Sequence, residues 1–219
     1  MDLGFLLSAL VTLFVVIDPI GMAPLFVALT QGMTGARRRA IALRACLIAF
    51  GLLTLFGVAG EAVLAFVGIS MPAFQIAGGL LLFLTALDML FERRTQRRQE
   101  KTQGDEAHPD PSVFPLAIPL IAGPGAIASM ILMAGQAPAT LTWGQSLAHL
   151  ALLHGAMIAV LALVLLLFLA ADLLERALGH TGILVVTRLL GMLLAALSIQ
   201  FVLDGMAGAG LIATTSTSG

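Results

Sequence analysis

Asp18 is the only acidic residue near the middle of a long apolar run, and Pro19 follows it directly. An ionisable side chain at bilayer depth is costly, so it faces a partner or water. Three roles fit it. It can touch a substrate or a coupling cation, it can carry a proton, or it can cap the half-helix that starts at Pro19. The roles are compatible, because a capped helix break is itself a binding surface. Pro19 and Pro24 stand five apart in Pro19-Ile20-Gly21-Met22-Ala23-Pro24, and the spacing recurs one hundred residues later in Pro119-Leu120-Ile121-Ala122-Gly123-Pro124-Gly125. Proline lacks the N–H that a helix interior uses and clashes with the preceding turn. Each copy therefore frees backbone groups inside a hydrophobic stretch, and these need protein or a wet cavity to satisfy them. Gly21, Gly123 and Gly125 let a ligand come close to the chain. Half-helix N-termini suit the carboxylate of an amino acid, and carbonyls near Asp18 suit an ammonium group or a cation.

Other polar residues carry weaker signals. Asp88, Ser129, Gln200 and Asp204 are candidates for lining a path or bonding between helices. Glu61, Asp172 and Glu175 lie near span ends and reach the interface. His149 and His154 are five apart, which does not put both on one helix face as a metal pair would need. The chain has no phosphate-binding glycine loop with lysine, no HExxH and no GxSxG, so it is not read as an enzyme.

The elements that position these residues must be membrane helices. Of 219 residues, 59% are hydrophobic and 11% charged, and the mean hydropathy is +1.05. A soluble domain of this size could not hide so much apolar surface. Six spans follow, near 3–30, 40–67, 72–91, 114–134, 147–174 and 183–206. Residues 92–113 form a polar loop with Arg93, Arg94, Arg97, Arg98 and Lys101 followed by acidic residues, and it divides the chain into halves 1–91 and 114–219. The short polar tail from Thr214 is expected to fray. Cys46 is the single cysteine, which excludes an internal disulfide and a thiol metal cluster. The N-terminus has no basic region before its apolar run, so the first span is expected to remain as a membrane helix.

All eleven basic residues lie in or beside the first, third and fifth connections. Positive residues stay in the cytoplasm, so both termini are expected outside and the 93–101 run inside. Gly79-Leu80-Leu81-Leu82 in the third span matches Gly191-Met192-Leu193-Leu194 in the sixth at an offset of 112, which sets Asp88 opposite Gln200. Three spans per half is an odd number, so the second half enters from the opposite side. The expected fold is all-α: six transmembrane helices as two inverted three-helix repeats, each with a first helix broken at its Pro/Gly motif.

Two segments then become recognisable. Asp18-Pro19-Ile20-Gly21 with Pro24-Leu25-Phe26, and Pro119 to Gly125 followed by Ala126-Ile127, resemble the signature segments of the MarC family of six-span bacterial and archaeal inner-membrane proteins. Ala77-Gly78-Gly79 before a leucine run resembles its third span; Arg188-Leu189-Leu190-Gly191 through Gln200 and Asp204-Gly205 resembles its sixth. A related branch, the SnatA type, is associated with small neutral amino acids. The resemblance implies a secondary transporter or exporter of such amino acids, with substrate held by Asp18, Pro19, Gly21, Met22, Pro24, Pro119, Gly123, Pro124 and Gly125. No cofactor and no nucleic-acid partner are expected; a coupling ion such as a proton or sodium is admissible, and membrane lipid surrounds the bundle. The family pattern usually has asparagine where Met22 stands, so an amide is lost and a more apolar solute, drugs included, becomes admissible. A non-transporting protein that binds a partner or lipid is the remaining class.

Overall fold

A computed structural model describes residues 3–91, 110–136 and 143–212. The 93–101 basic run and the tail from 213 lie outside the described residues. Helix α1 is Leu3–Ile17, α2 is Pro19–Leu29, α3 is Gly35–Val67 and α4 is Met71–Leu90. An irregular segment, Ser112–Ile121, leads into α5, Pro124–Ala134; α6 is Trp143–Leu169 and α7 is Ala171–Gly208. Among the described residues there is no strand. Among the described residues five helices are long and apolar enough to cross a membrane, with α1 and α2 together making one of them. The number is six when Ser112–Ile121 and α5, bent by 52° at their junction, make one span.

Local chemistry sets the boundaries. The Thr34 hydroxyl accepts from Arg37 N–H at 3.4 Å, so α3 starts at Gly35, five residues before its apolar run. Arginine propagates a helix well, and hydropathy alone does not register that. Helix α3 closes on Gly68 at φ 82, where Gly68 N–H donates to Ala65 O and Ile69 N–H to Leu64 O. This left-handed closure satisfies the last carbonyls and reverses the chain. Ser70 then caps Ala73 N–H, and α4 begins. Hydropathy carries the fifth span through Leu174, but α6 ends at Leu169 and α7 restarts at Ala171. Asp172 therefore sits in the first turn of α7, and Gly179, at φ 63, kinks this helix before it crosses.

The closest helix pairing joins α4 and α7. A methyl group on Gly79 would stand 2.7 Å from Ser198 O and 2.7 Å from Val202 Cγ2. One on Gly191 would stand 3.0 Å from Met89 Cβ, 3.3 Å from Ala86 O and 3.4 Å from Leu90 Cγ. Gly205 meets the Pro72 carbonyl in the same way, at 2.8 Å, so the two helices run antiparallel. Lipid gives helices no hydrophobic drive to associate, and small residues that admit a neighbour's backbone supply the packing instead. Leu13, Ile17, Met22, Leu53, Leu82 and Met130 fill the centre at 0% exposure. Phe66, Leu80, Leu166 and Leu189 turn outward, as lipid-facing side chains do.

Candidate functional site

At the first break α1 stops at Ile17 and α2 starts at Pro19. Between them Asp18 takes the left-handed conformation, φ 53 and ψ 64, the only described non-glycine residue with positive φ. Aspartate tolerates this region better than a branched or bulky residue does. Its Oδ1 accepts from Gly21 N–H at 3.1 Å, which caps α2, and Pro19 fills the first helical position. Asp18 is 3% exposed, inside a shell of Val15, Val16, Ile17, Met22 and Ala23. Pro24 does not interrupt the chain: it lies inside α2 and only removes the N–H that the Ile20 carbonyl would accept. The interruption is therefore at Asp18 alone, one residue ahead of the proline pair.

Gly21 lets the groups around it close on one another. A methyl group there would run into Asp18 Oδ2 and stand 2.8 Å from Thr187 Oγ1. The Thr187 hydroxyl is buried and has no hydrogen-bond partner among the described residues. A carboxylate, a hydroxyl and the first turn of a helix thus converge around a residue without a side chain. These are groups that bond a small polar solute or a cation, but in this packed arrangement there is no room for even a methyl group between them. The sequence reading missed Thr187. Its signal was one hydroxyl in the apolar approach to Arg188, and a contact from α7 back to Gly21 cannot be read from spacing.

The second break is built differently. Phe114 and Ile118, each just before a proline, are extended at φ −127, as residues preceding proline are. The segment between turns widely, with Leu116 N–H donating to Pro111 O at 3.3 Å and Ala122 N–H to Ala117 O at 2.9 Å. Irregularity thus begins at Phe114, ahead of the Pro119–Pro124 pair. Gly123 is extended and precedes Pro124, and no side chain caps α5. A methyl group on Gly123 would collide with the Pro119 carbonyl. Gly123 and Gly125 are buried, whereas Pro119 and Pro124 are exposed. A methyl group on Gly125 would stand 3.2 Å from Val16 Cγ1 and 3.1 Å from Leu82 Cδ2. The second break therefore packs two residues upstream of Asp18.

The remaining candidates are scattered. Ser129 is one turn beyond Gly125 on the same side of α5, fully buried, and its hydroxyl has no partner among the described residues. Asp88 is half-buried near the end of α4. Gln200 Nε2 donates to Asp204 Oδ1 at 2.8 Å, and both lie exposed on α7, away from the buried breaks. His149 Nε2 bonds the Met133 carbonyl and His154 Nδ1 the Leu150 carbonyl, so the two rings serve different partners. Among the described residues no group of three or more His, Cys, Asp or Glu is placed to hold a metal ion. Pro124 borders an apolar groove of about 290 Å³, lined also by Phe56, Phe74, Ile127 and Ile131.

Residues 3–210 match the model of the family described as MarC family integral membrane protein. The chain is 37% identical over 207 residues to a UPF0056 membrane protein of Archaeoglobus fulgidus, covering 94% of this chain and 93% of that one. It is 35% identical over 215 residues to the UPF0056 membrane protein YvbG of Bacillus subtilis, covering 96% of each. It is 34% identical over 201 residues to the UPF0056 inner membrane protein YhgN of Escherichia coli, covering 92% of this chain and 95% of that one. No solved structure matches the chain.

Proposed function

The chain belongs to the MarC family of integral membrane proteins, and from that premise we propose that it is a secondary transporter or exporter of small neutral amino acids across the bacterial inner membrane. The substrate lies between the two breaks. Its ammonium group faces Asp18 and the Thr187 hydroxyl. Its carboxylate faces the first turn of α5, whose N–H groups receive no side-chain cap. The observation that carries this reading is the packing of Gly125 against Val16, which sets the two breaks side by side in the interior. Both termini face outside and the 93–101 run faces the cytoplasm, by the distribution of arginine and lysine.

The halves 1–91 and 114–219 act as inverted repeats, joined by the 92–113 loop. Support comes from reciprocal contacts between α4 and α7. Gly79 meets Ser198 and Val202, and Gly191 meets Ala86 and Leu90. Shifting each residue of the first set by the offset of 112 seen in the sequence yields the second set. A two-fold axis in the membrane plane gives this exchange between antiparallel helices. Alternating access then follows from one half rocking against the other.

The test is uptake of labelled glycine or alanine into proteoliposomes, with imposed proton and sodium gradients applied separately. Accumulation above protein-free vesicles under one gradient is expected, and it names the coupling ion. Flux equal to protein-free vesicles under every gradient overturns the reading. A more apolar solute is the second reading, favoured by Met22 at 0% exposure beside Asp18 and by the groove at Pro124. Strong competition by apolar amino acids, with none by glycine, would select it.

A further inference from the structure

We propose that Phe26, Phe168, Arg38 and Asp172 form a closure between the Asp18 break and the arginine-bearing end of the bundle, an inference that rests on reading that break as the solute site. Helix α2 leads from the break toward Thr30, and Phe26 lies seven residues beyond Pro19. At 1.5 Å per residue that is about 10 Å along the axis. The Phe26 ring stacks on Phe168 of α6, with centroids 4.5 Å apart and planes within 5°. Both rings are 1% exposed. Arg38 of α3 covers the Phe26 ring, its guanidinium carbon 5.7 Å from the centroid. The same guanidinium donates through Nη1 to Asp172 Oδ2 at 2.8 Å and through Nη2 to Asp172 Oδ1 at 3.1 Å. An apolar plug faces the break, and a charged lid closes over it.

The composition of this stack argues for a closure over a static surface contact. Phe26 and Arg38 come from the first half of the chain, Phe168 and Asp172 from the second. Any rocking of the halves must separate the two rings and the ion pair together. An isolated exposed pair contributes little, but a forked arginine–carboxylate contact resting on an aromatic face is geometrically specific. It also stays light enough to open, because the Arg38 and Asp172 side chains are 24% and 56% exposed. The Arg38 guanidinium holds the Asp172 carboxyl below its usual range, so the carboxylate is ionised at neutral pH. A second clasp forms nearby on α3, where Arg44 pairs with Asp110 ahead of the second broken segment. Asp110 is fixed in turn by Ser112, whose N–H donates to it at 3.0 Å. Two arginines of α3 thus hold carboxylates from beyond the first half, Asp172 of α7 and Asp110 at the end of the connecting loop.

The experiment reads access to Met22, which is fully buried one turn from Asp18. The full chain carries Cys46→Ala and Met22→Cys and is placed in membrane vesicles of both orientations. A small charged methanethiosulfonate is applied from either face. The parent should label slowly from both. Asp172→Asn should speed labelling from the arginine-bearing face roughly fivefold, the shift expected on losing one half-exposed ion pair. Phe168→Ala should speed it further, and Asp172→Glu, which keeps the carboxylate, should stay within about twofold of the parent. Each variant is compared at matched Tm; where Phe168→Ala does not fold, the exposed Asp172→Asn carries the result. A change below twofold in Asp172→Asn, or an equal rise from both faces, overturns the proposal. Labelling needs no flux, so a protein that labels as expected but moves no amino acid defeats only the transport reading.

Discussion

The helices of this protein are interrupted beside two Pro/Gly motifs, at Asp18 and at 114–123, and the two interruptions satisfy the backbone by different means. At Asp18 a single left-handed residue closes α1, and its carboxylate caps α2. Ile17, Asp18 and Pro19 are all buried. At 114–123 the backbone stays irregular for several residues, uses wide turns, and enters α5 through an extended glycine with no side-chain cap. Its glycines face inward and its prolines outward. The first break brings a carboxyl group into the core; the second brings helix N–H groups without an acceptor side chain. An oxygen acceptor at one break and N–H donors at the other suit the two ends of a zwitterion, which two identical breaks would not.

The sharpest way to break that contrast is to remove the carboxylate. Asp18→Leu loses the cap, worth about 1 kcal/mol, and forces leucine into the left-handed region at about 1–2 kcal/mol more. A Tm lowered by about 6 °C or more is expected in thermal unfolding of the purified protein. Asp18→Asn keeps a competent cap in a conformation asparagine tolerates, so its Tm should stay close to that of the parent. Its flux should nevertheless fall sharply, because the charge facing the ammonium or cation is gone. Normal melting with full flux would leave Asp18 as a cap alone and remove the electrostatic side of the comparison.

That first break was the more legible of the two in the sequence. An aspartate before proline in an apolar run already specifies a cap and a helix start, since both are local chemistry. The helical class and the span positions followed from hydropathy for the same reason. What stayed hidden was set by contacts between distant segments. Pro24 is absorbed into α2 because the chain has already turned at Asp18. Thr187 reaches Gly21 only once α7 lies against α2. The early start of α3 was obscured because arginines 37–39 lower hydropathy while favouring helix. The second break begins at Phe114, since Pro115 acts on its predecessor as Pro119 does on Ile118, and Pro115 lies outside the repeated five-residue spacing.

The second break can be sharpened through its glycines. A methyl group on Gly123 meets a backbone carbonyl, that of Pro119, which cannot swing aside. Gly123→Ala should therefore cost about 2 kcal/mol, read as a lower Tm. On Gly125 the same methyl group meets the ends of Leu82 and Val16 at 3.1 and 3.2 Å, and side chains of that kind adjust. Gly125→Ala should cost about 1 kcal/mol or less. If the two substitutions cost the same, the second break is not held by the backbone contact at Gly123, and its contrast with the side-chain cap at Asp18 disappears.

The smallest effect on stability is expected where each break keeps a buried hydroxyl without a partner among the described residues: Thr187 at the first and Ser129 one turn past the second. Removing a buried polar atom that makes no bond loses nothing and relieves a desolvated group. Thr187→Val and Ser129→Ala should therefore melt at the parent temperature or slightly above it. Transport separates them. Thr187 stands across Gly21 from the Asp18 carboxylate, so on the proposed transport reading its hydroxyl shares the ammonium group. Losing one such hydrogen bond, worth about 1 kcal/mol, should raise the apparent KM for the amino acid roughly fivefold. Ser129 is a full turn from the α5 N-terminus and should change KM by less than about twofold. A larger KM effect at Ser129 than at Thr187 would move the solute away from the carboxylate and deeper along α5. A lowered Tm in Thr187→Val would instead mean that its hydroxyl supports the junction, and Gly21 would then be read as a packing residue.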